Sequence, residues 1–429
     1  MNDLDYQVAV QSDFQRMIQA MVQVGPGTAA SQICAKATEA KRWMVSQLEH
    51  PKDGFASEFQ YVSRLLQMSV STQRHLVLTP EWQSAYEPPD CRPKLNQDQS
   101  GWDCLWEPML PACSTEQIQR QQKNTENPLT ANNNNNNRQM LSDSNPLSVG
   151  ILPKKKATSN WFDVAWYSQQ QQQQQPQSIM WAPTSFSRKK TDQLKPDIIP
   201  HWERMYGRYW VRAQMAHALW RPNTFLRNSI ANRLPPADGL FQFMMMNTTH
   251  VYTPLFIGFH IRLTDNAQDM QRHFARNATQ TRNLARFMAF AERIRDLHHA
   301  ASAVSSSSNT RQQPRLDTIY LATDNRDILK QSKDPQWKER GWTFVTQTNT
   351  VERSTTTDKR MWFREGRSGA AGAIATDIEV LRRADYLVGS FQSNVYRLAC
   401  QLNTAWNVHK YPWELQRHWT VDVEWYEDP

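Results

Sequence analysis

The chain has 429 residues, 39% hydrophobic and 10% aromatic with 17 Trp, which is enough for two domains and a sizeable core and excludes wholesale disorder. A formal charge of +8 and a pI near 9.2 raise the question of nucleic acid, but no basic stripe interleaves with aromatic residues. The runs Lys154-Lys155-Lys156 and Arg188-Lys189-Lys190 flank low-complexity sequence, so nucleic acid is set aside and a diffuse attraction to anionic ligands is expected. No window of ~20 apolar residues exists and the N-terminus lacks a charged-then-apolar leader, so the expectation is a cytosolic protein or one whose membrane anchor is absent from this chain.

In chain order, residues 1–29 form an expected N-terminal helical segment, and the amphipathic pattern continues to about residue 50 without a strand signal. Phe59 to Ser69 reads as helix and Leu76 to Thr79 as a short strand, opening an α/β domain assigned to 30–250. A low-complexity insertion at about 114–195, with Asn132 to Asn137 and the Gln169 to Gln175 tract, is expected to be disordered. Helical pattern resumes from Trp202 through Met205, Trp210, Met215 and Leu219 until Pro222 stops it.

A third segment, 251–429, alternates strand with helix: Leu255 to Ile261, Asn283 to His298, Thr318 to Ala322, Ile328 onward, Thr343 to Thr346, Ala371 to Arg383, Tyr386 to Val388 and Asn394 to Leu402. That order implies right-handed βαβ units and a parallel sheet. Cys34, Cys91, Cys104, Cys113 and Cys400 show no C-x-x-C spacing. They leave open either a small disulfide set in an oxidising compartment or a handful of buried thiols.

The candidate chemistry lies where strands end, because ligands of open parallel sheets bind beyond the carboxyl ends. The near-continuous apolar run Leu255 to Ile261 carries His260 and stops at Arg262, Thr264 and Asp265. Asp377 falls on a helix whose apolar positions are Ala371, Ile374, Ile378 and Leu381, after the small run 368–372 that lets a ligand or backbone approach closely. Ser393 follows the strand Tyr386-Leu387-Val388 at the expected N-cap of the next helix, where a hydroxyl, backbone N–H groups and the helix dipole can hold a phosphate. Asp324, ending Tyr320-Leu321-Ala322-Thr323, reads as a helix cap or loop brace. No metal site is expected.

Taken together, the motifs resemble those of the alpha-1,6-fucosyltransferases of glycosyltransferase family 23. His260-Ile261-Arg262-Leu263-Thr264-Asp265 is similar to that family's His-x-Arg-Arg-Thr-Asp strand end, and Tyr320 to Asp324 matches its Tyr-Leu-Ala-Thr-Asp block. Gly372 to Arg397 is similar to its third block, and Thr72-Gln73-Arg74 and Gly101-Trp102 to segments of its first domain. The resemblance implies two Rossmann-like α/β domains (GT-B-like) with a donor cleft between them, no metal or other cofactor, and inverting transfer of fucose from GDP-fucose. The implied acceptor is the core GlcNAc of an N-linked glycan or glycoprotein, in the Golgi lumen.

Carried over residue by residue, His260 and Asp377 read guanine, Arg262 and Ser393 hold the β-phosphate, and Gly54-Phe55-Ala56 lies where the family has a Gly-Tyr-Gly loop touching the nucleotide. The family's disulfide corresponds to Cys34 and Cys113. Departures from the pattern are Leu263, Asn266 and Met270, the last standing where the family has an acceptor-activating Glu. Asp269 is the substitute base that the resemblance leaves. These departures keep two alternatives open, a protein O-fucosyltransferase-like enzyme with a polypeptide acceptor and a catalytically inactive GDP-sugar-binding protein. The family's C-terminal Src-homology-3-like domain is expected to be absent.

Overall fold

The computed structural model describes residues 9, 11–16, 18, 42–46, 54–71, 74–80, 82–95, 99–108, 110, 179–182, 208–234, 255–261, 283–305, 315–347, 366–391, 393–407 and 417–421. The chain is α/β and divides into two compact units, Val10–Asn223 and Thr224–Pro429, the latter with Met1–Ala9. The division falls at 223/224, not at the 250/251 position read from the sequence. The reason is the helix Thr224–Arg233, which packs on a later helix of the second unit. Among the described residues no helix is long and apolar enough to cross a membrane.

The first unit contains a three-stranded parallel sheet ordered β2-β1-β3, made of β1 (Arg42–Ser46), β2 (Arg74–Leu78) and β3 (Ile179–Ala182). Two of these strands correct the sequence reading. β1, the central strand, lies in the stretch read as helix, and β3 lies inside the stretch read as a disordered insertion. Helix α1 (Phe55–Ser71) starts four residues earlier than the pattern suggests, with the Gly54 carbonyl accepting from the Ser57 and Glu58 amides. Helix α2 (Arg208–Leu219) ends before Pro222, which cannot donate to a continuing helix.

The core of this unit is aromatic. Phe59 packs on Trp102, Trp106 and Trp220 at centroid distances of 5.8, 4.8 and 5.3 Å, and Trp82 meets Trp102 edge-on at 5.8 Å. Such offset and edge-to-face pairs add to the burial of large apolar surfaces. Cys91 and Cys104 form a disulfide beside this cluster; Cys34 and Cys113 lie outside the described residues. Cys400 is a buried free thiol whose pKa is pushed up by burial.

The second unit holds a five-stranded, all-parallel sheet ordered β6-β5-β4-β7-β8. Its strands are β4 (Phe256–Ile261), β5 (Thr318–Thr323), β6 (Thr343–Val345), β7 (Tyr386–Gly389) and β8 (His418–Thr420). Its helices are α3 (Thr224–Arg233), α4 (Leu284–Ser305), α5 (Arg326–Gln331), α6 (Pro335–Glu339), α7 (Gly366–Leu381) and α8 (Asn394–Trp406). Counted within the unit, the order is 3-2-1-4-5. The chain therefore reverses direction across the sheet between β4 and β7, the kind of switch point where a crevice opens at the strand ends.

Period-two alternation assigns the two faces of β4. Ile257, Phe259 and Ile261 enter a core with Leu284, Phe287, Met288 and Ala291 of α4. The opposite face carries Gly258 and His260 and lies against α7. A Cβ at position 258 would stand 2.7 Å from Leu381 and Leu387 side-chain carbons, so a larger residue there would push the helix off the sheet. Gly372 lets α7 approach α3 closely, with Ser229 filling the space a side chain would need. Asp385 ties the start of β4 to β7: its amide donates to the Phe256 carbonyl at 3.1 Å and its carboxylate accepts the Phe256 amide at 3.0 Å.

Candidate functional site

The parallel registers determine which side chains share the α7 face. Gly258 pairs with Tyr320, and Tyr320 with Val345. Two residues further along, His260 pairs with Ala322, and Gln347 lies two residues past Val345. His260, Tyr320 and Gln347 therefore point to one side, and α7 covers that side with Ala370, Ala373, Ile374 and Asp377 at helical spacing. A cleft opens there, lined also by Ile261, Thr323 and Asp324 from the strand ends and Val395 from the first turn of α8.

Asp377 is the polar centre of the cleft. The Tyr320 hydroxyl donates to Asp377 Oδ1 at 2.8 Å, and the Gln347 amide nitrogen donates to the same oxygen at 2.9 Å. Burial, then the neighbouring Asp377 charge, holds the Tyr320 hydroxyl pKa well above its ordinary value. Tyr320 thus remains a donor at any working pH, and the carboxylate is held by two fixed donors on one oxygen. His260 is 6% exposed, and its ring lies nearly parallel to Tyr396 of α8 at 6.2 Å. An ionised carboxylate beside an imidazole suits a ligand edge bearing adjacent N–H groups.

The structure brings His260 and Asp377 into the same cleft. Ser393 is the N-cap residue of α8, but its side chain makes no capping bond, and its buried Oγ has no hydrogen-bond partner among the described residues. A plain N-cap would have turned that hydroxyl onto the helix amides. Phe55 packs inside the first unit, its ring 5.6 Å from Tyr86 and 5.7 Å from Trp106, so its described contacts are those of a core residue; Gly54 immediately precedes it at the N-terminal start of α1. Arg262 and Asp269 lie outside the described residues, as do Leu263, Asn266 and Met270.

Two residues play parts that the sequence reading did not give them. The cap of α5 is Asn325, whose side chain accepts from the Asp327 and Ile328 amides at 2.8 and 3.2 Å, so Asp324 is not the helix cap; it lines the cleft. Gln347 has no motif around it. Its one sequence signal is parity with Val345 on a strand too short to show alternation.

No protein-family model matches the chain, and no curated protein does. Among solved structures, the chain is similar to NodZ alpha-1,6-fucosyltransferase soaked with GDP-fucose, at 12% identity and a TM-score of 0.40, over 85% of this chain and 93% of that one. It is similar to a variant of Arabidopsis thaliana FUT1 in complex with GDP at 11% identity and a TM-score of 0.46, over 93% and 78% of the two chains. The corresponding values for POFUT1 in complex with GDP-fucose are 8%, 0.42, 90% and 98%.

Proposed function

We propose that the cleft between β4, β5 and α7 binds the nucleotide of GDP-fucose and that the protein is a metal-independent, inverting fucosyltransferase. The observation that carries this reading is Asp377, held on one oxygen by Tyr320 and Gln347 and sharing the cleft with His260 at the carboxyl edge of a parallel sheet. Asp377 accepts from the ring N–H and exocyclic amine of guanine, a donor pair that adenine and uracil lack. The β-phosphate is assigned to the uncommitted Ser393 hydroxyl and to Arg262, one residue past β4 in the sequence. The similarity of the His260–Asp265, Tyr320–Asp324 and Gly372–Arg397 segments to the core fucosyltransferase motifs supports the same reading.

In the proposed reaction an acceptor hydroxyl attacks the anomeric carbon of fucose from the side opposite the phosphate. The new C–O bond forms as the bond to the β-phosphate oxygen breaks. The hydroxyl proton passes to a carboxylate, assigned to Asp269, and GDP leaves with the negative charge, which Arg262 and Ser393 stabilise. The acceptor that the motif similarity favours is the core GlcNAc of an N-glycan in alpha-1,6 linkage, in the Golgi lumen. The Cys91–Cys104 disulfide agrees with an oxidising compartment.

Calorimetric titration with GDP, ADP and UDP tests the donor site. GDP is expected to bind selectively, and Asp377→Asn to weaken it by about 1.5–3 kcal/mol, because the variant loses a charged acceptor. Equal affinity for ADP and GDP would end the reading. GDP release from GDP-fucose with an N-glycopeptide, and separately with a polypeptide acceptor, then distinguishes core fucosylation, protein O-fucosylation and a binding protein that never transfers.

A further inference from the structure

Gln347 lies just past β6 and is 5% exposed, so its amide is out of bulk water. Its nitrogen donates to Asp377 Oδ1 at 2.9 Å and more weakly to the Ala373 carbonyl at 3.4 Å. A carboxylate and a carbonyl can only accept, so the orientation of the amide is determined: nitrogen toward Asp377, Oε1 away from it. Oε1 is buried and has no hydrogen-bond partner among the described residues. An acceptor left unpaired away from water is costly, and buried polar groups in folded proteins nearly always have a partner, so an exception calls for an explanation. This orphan acceptor belongs to a residue that lines the cleft beside Asp377 and His260.

We infer that Gln347 is a specificity-determining residue of the cleft, its Oε1 accepting a proton from the exocyclic amine of a 2-aminopurine nucleotide. The inference rests on the guanine reading of the cleft. Guanine presents three protons along one edge, one on the ring nitrogen and two on the amine. Asp377 faces the ring proton and the nearer amine proton, and the second amine proton needs a further acceptor. Hypoxanthine has the ring proton and lacks the amine, so it isolates the contribution of that group.

The test is calorimetry of the unaltered chain and of Gln347→Met with GDP and IDP. In the variant Tyr320 still holds Asp377, so the ring-proton contact persists. The expected result is that Gln347→Met binds GDP about five- to tenfold more weakly while its IDP affinity changes less than about threefold. An equal loss for both nucleotides, or no loss for either, overturns the inference. If the variant does not fold, N2-methyl-GDP on the unaltered chain decides, since it keeps only one amine proton. A several-fold loss relative to GDP supports the inference, and binding equal to GDP overturns it. Failure of the guanine reading is a separate outcome, seen as ADP binding the unaltered chain as tightly as GDP.

Discussion

In the unit Val10–Asn223 the acids Glu58 and Glu87 are turned back on their own surroundings. Glu58 accepts from the Ser84 hydroxyl at 2.6 Å and the Ala85 amide at 3.1 Å, and Glu87 pairs with Arg92 at 3.1 Å and with the Ser84 amide at 2.6 Å. Around them the large aromatics Phe59, Trp82, Trp102 and Trp106 are almost wholly buried. In the unit Thr224–Pro429 the core is mainly aliphatic, and Asp377, Gln347 and His260 converge on a cleft in which Gln347 bonds Asp377 and His260 shares the lining. Both units hold a parallel sheet, so the difference lies in where the polar groups sit. A parallel sheet directs every strand's carboxyl end the same way, so polar residues placed just after the apolar runs gather at one edge. A compact aromatic cluster has no such edge, and its acids serve as braces.

The largest test of that contrast is Trp102→Ala. Removing a fully buried indole from the aromatic cluster should cost about 3–5 kcal/mol, read by urea unfolding with tryptophan fluorescence. A loss under about 1 kcal/mol would show that the cluster is not what holds this unit. Next comes the double change Cys91→Ser with Cys104→Ser. The disulfide closes a loop across a sequence separation of 13, which in the chain-entropy model is worth about 3 kcal/mol. The same loss should appear on reduction of the unaltered chain, and the absence of both effects would remove the disulfide from the account of this unit.

A third test, read as a slope with pH and not as a total, falls on the second unit. Burial, and then the nearby Arg417 charge, push the His418 pKa down to about 3, and its Nε2 lies 3.0 Å from Asn403 Oδ1. The folded state keeps this ring neutral while the unfolded chain takes up a proton near pH 6.5, so its contribution is complete above that value. It is lost as pH falls from about 6.5 toward 3, by up to ~1.4 kcal/mol per pH unit. His418→Gln should flatten that slope in unfolding curves taken at a series of pH values. An unchanged slope would assign the acid sensitivity to other groups.

The elements legible in the sequence are those with long, uniform patterns. β4, β5 and β7 are apolar runs bounded by polar residues, and α4, α7 and α8 carry repeats at helical spacing. β1 was hidden because Arg42–Ser46 is short and continues without a turn signal from a helix-like stretch. β3 was hidden because four residues beside a Gln tract carry too little periodicity, and their pairing with β1 is a long-range choice that no local pattern encodes. In the cleft, His260 and Asp377 could be found because each sits in a motif. Gln347 could not, since its role depends on the register of three strands and on the helix that crosses them. Asp324 and Asn325 show the limit of a local rule: both suit a helix cap, and only the backbone geometry selects Asn325.

Tyr396 gives the arrangement a mechanical consequence. Its ring fills the space beside Gly389 that any Cβ would occupy, its hydroxyl donates to the Trp419 carbonyl at 2.6 Å, and its face carries the His260 ring. One side chain thus couples the ends of β7, β8 and β4. Protein interiors are packed as densely as molecular crystals, so a displacement imposed at any of these three points is transmitted rather than absorbed. In a saturation library position 389 should therefore accept glycine alone. Substitutions around Trp419, which does not line the cleft, should still perturb the imidazole at position 260, visible as changes in its NMR chemical shifts.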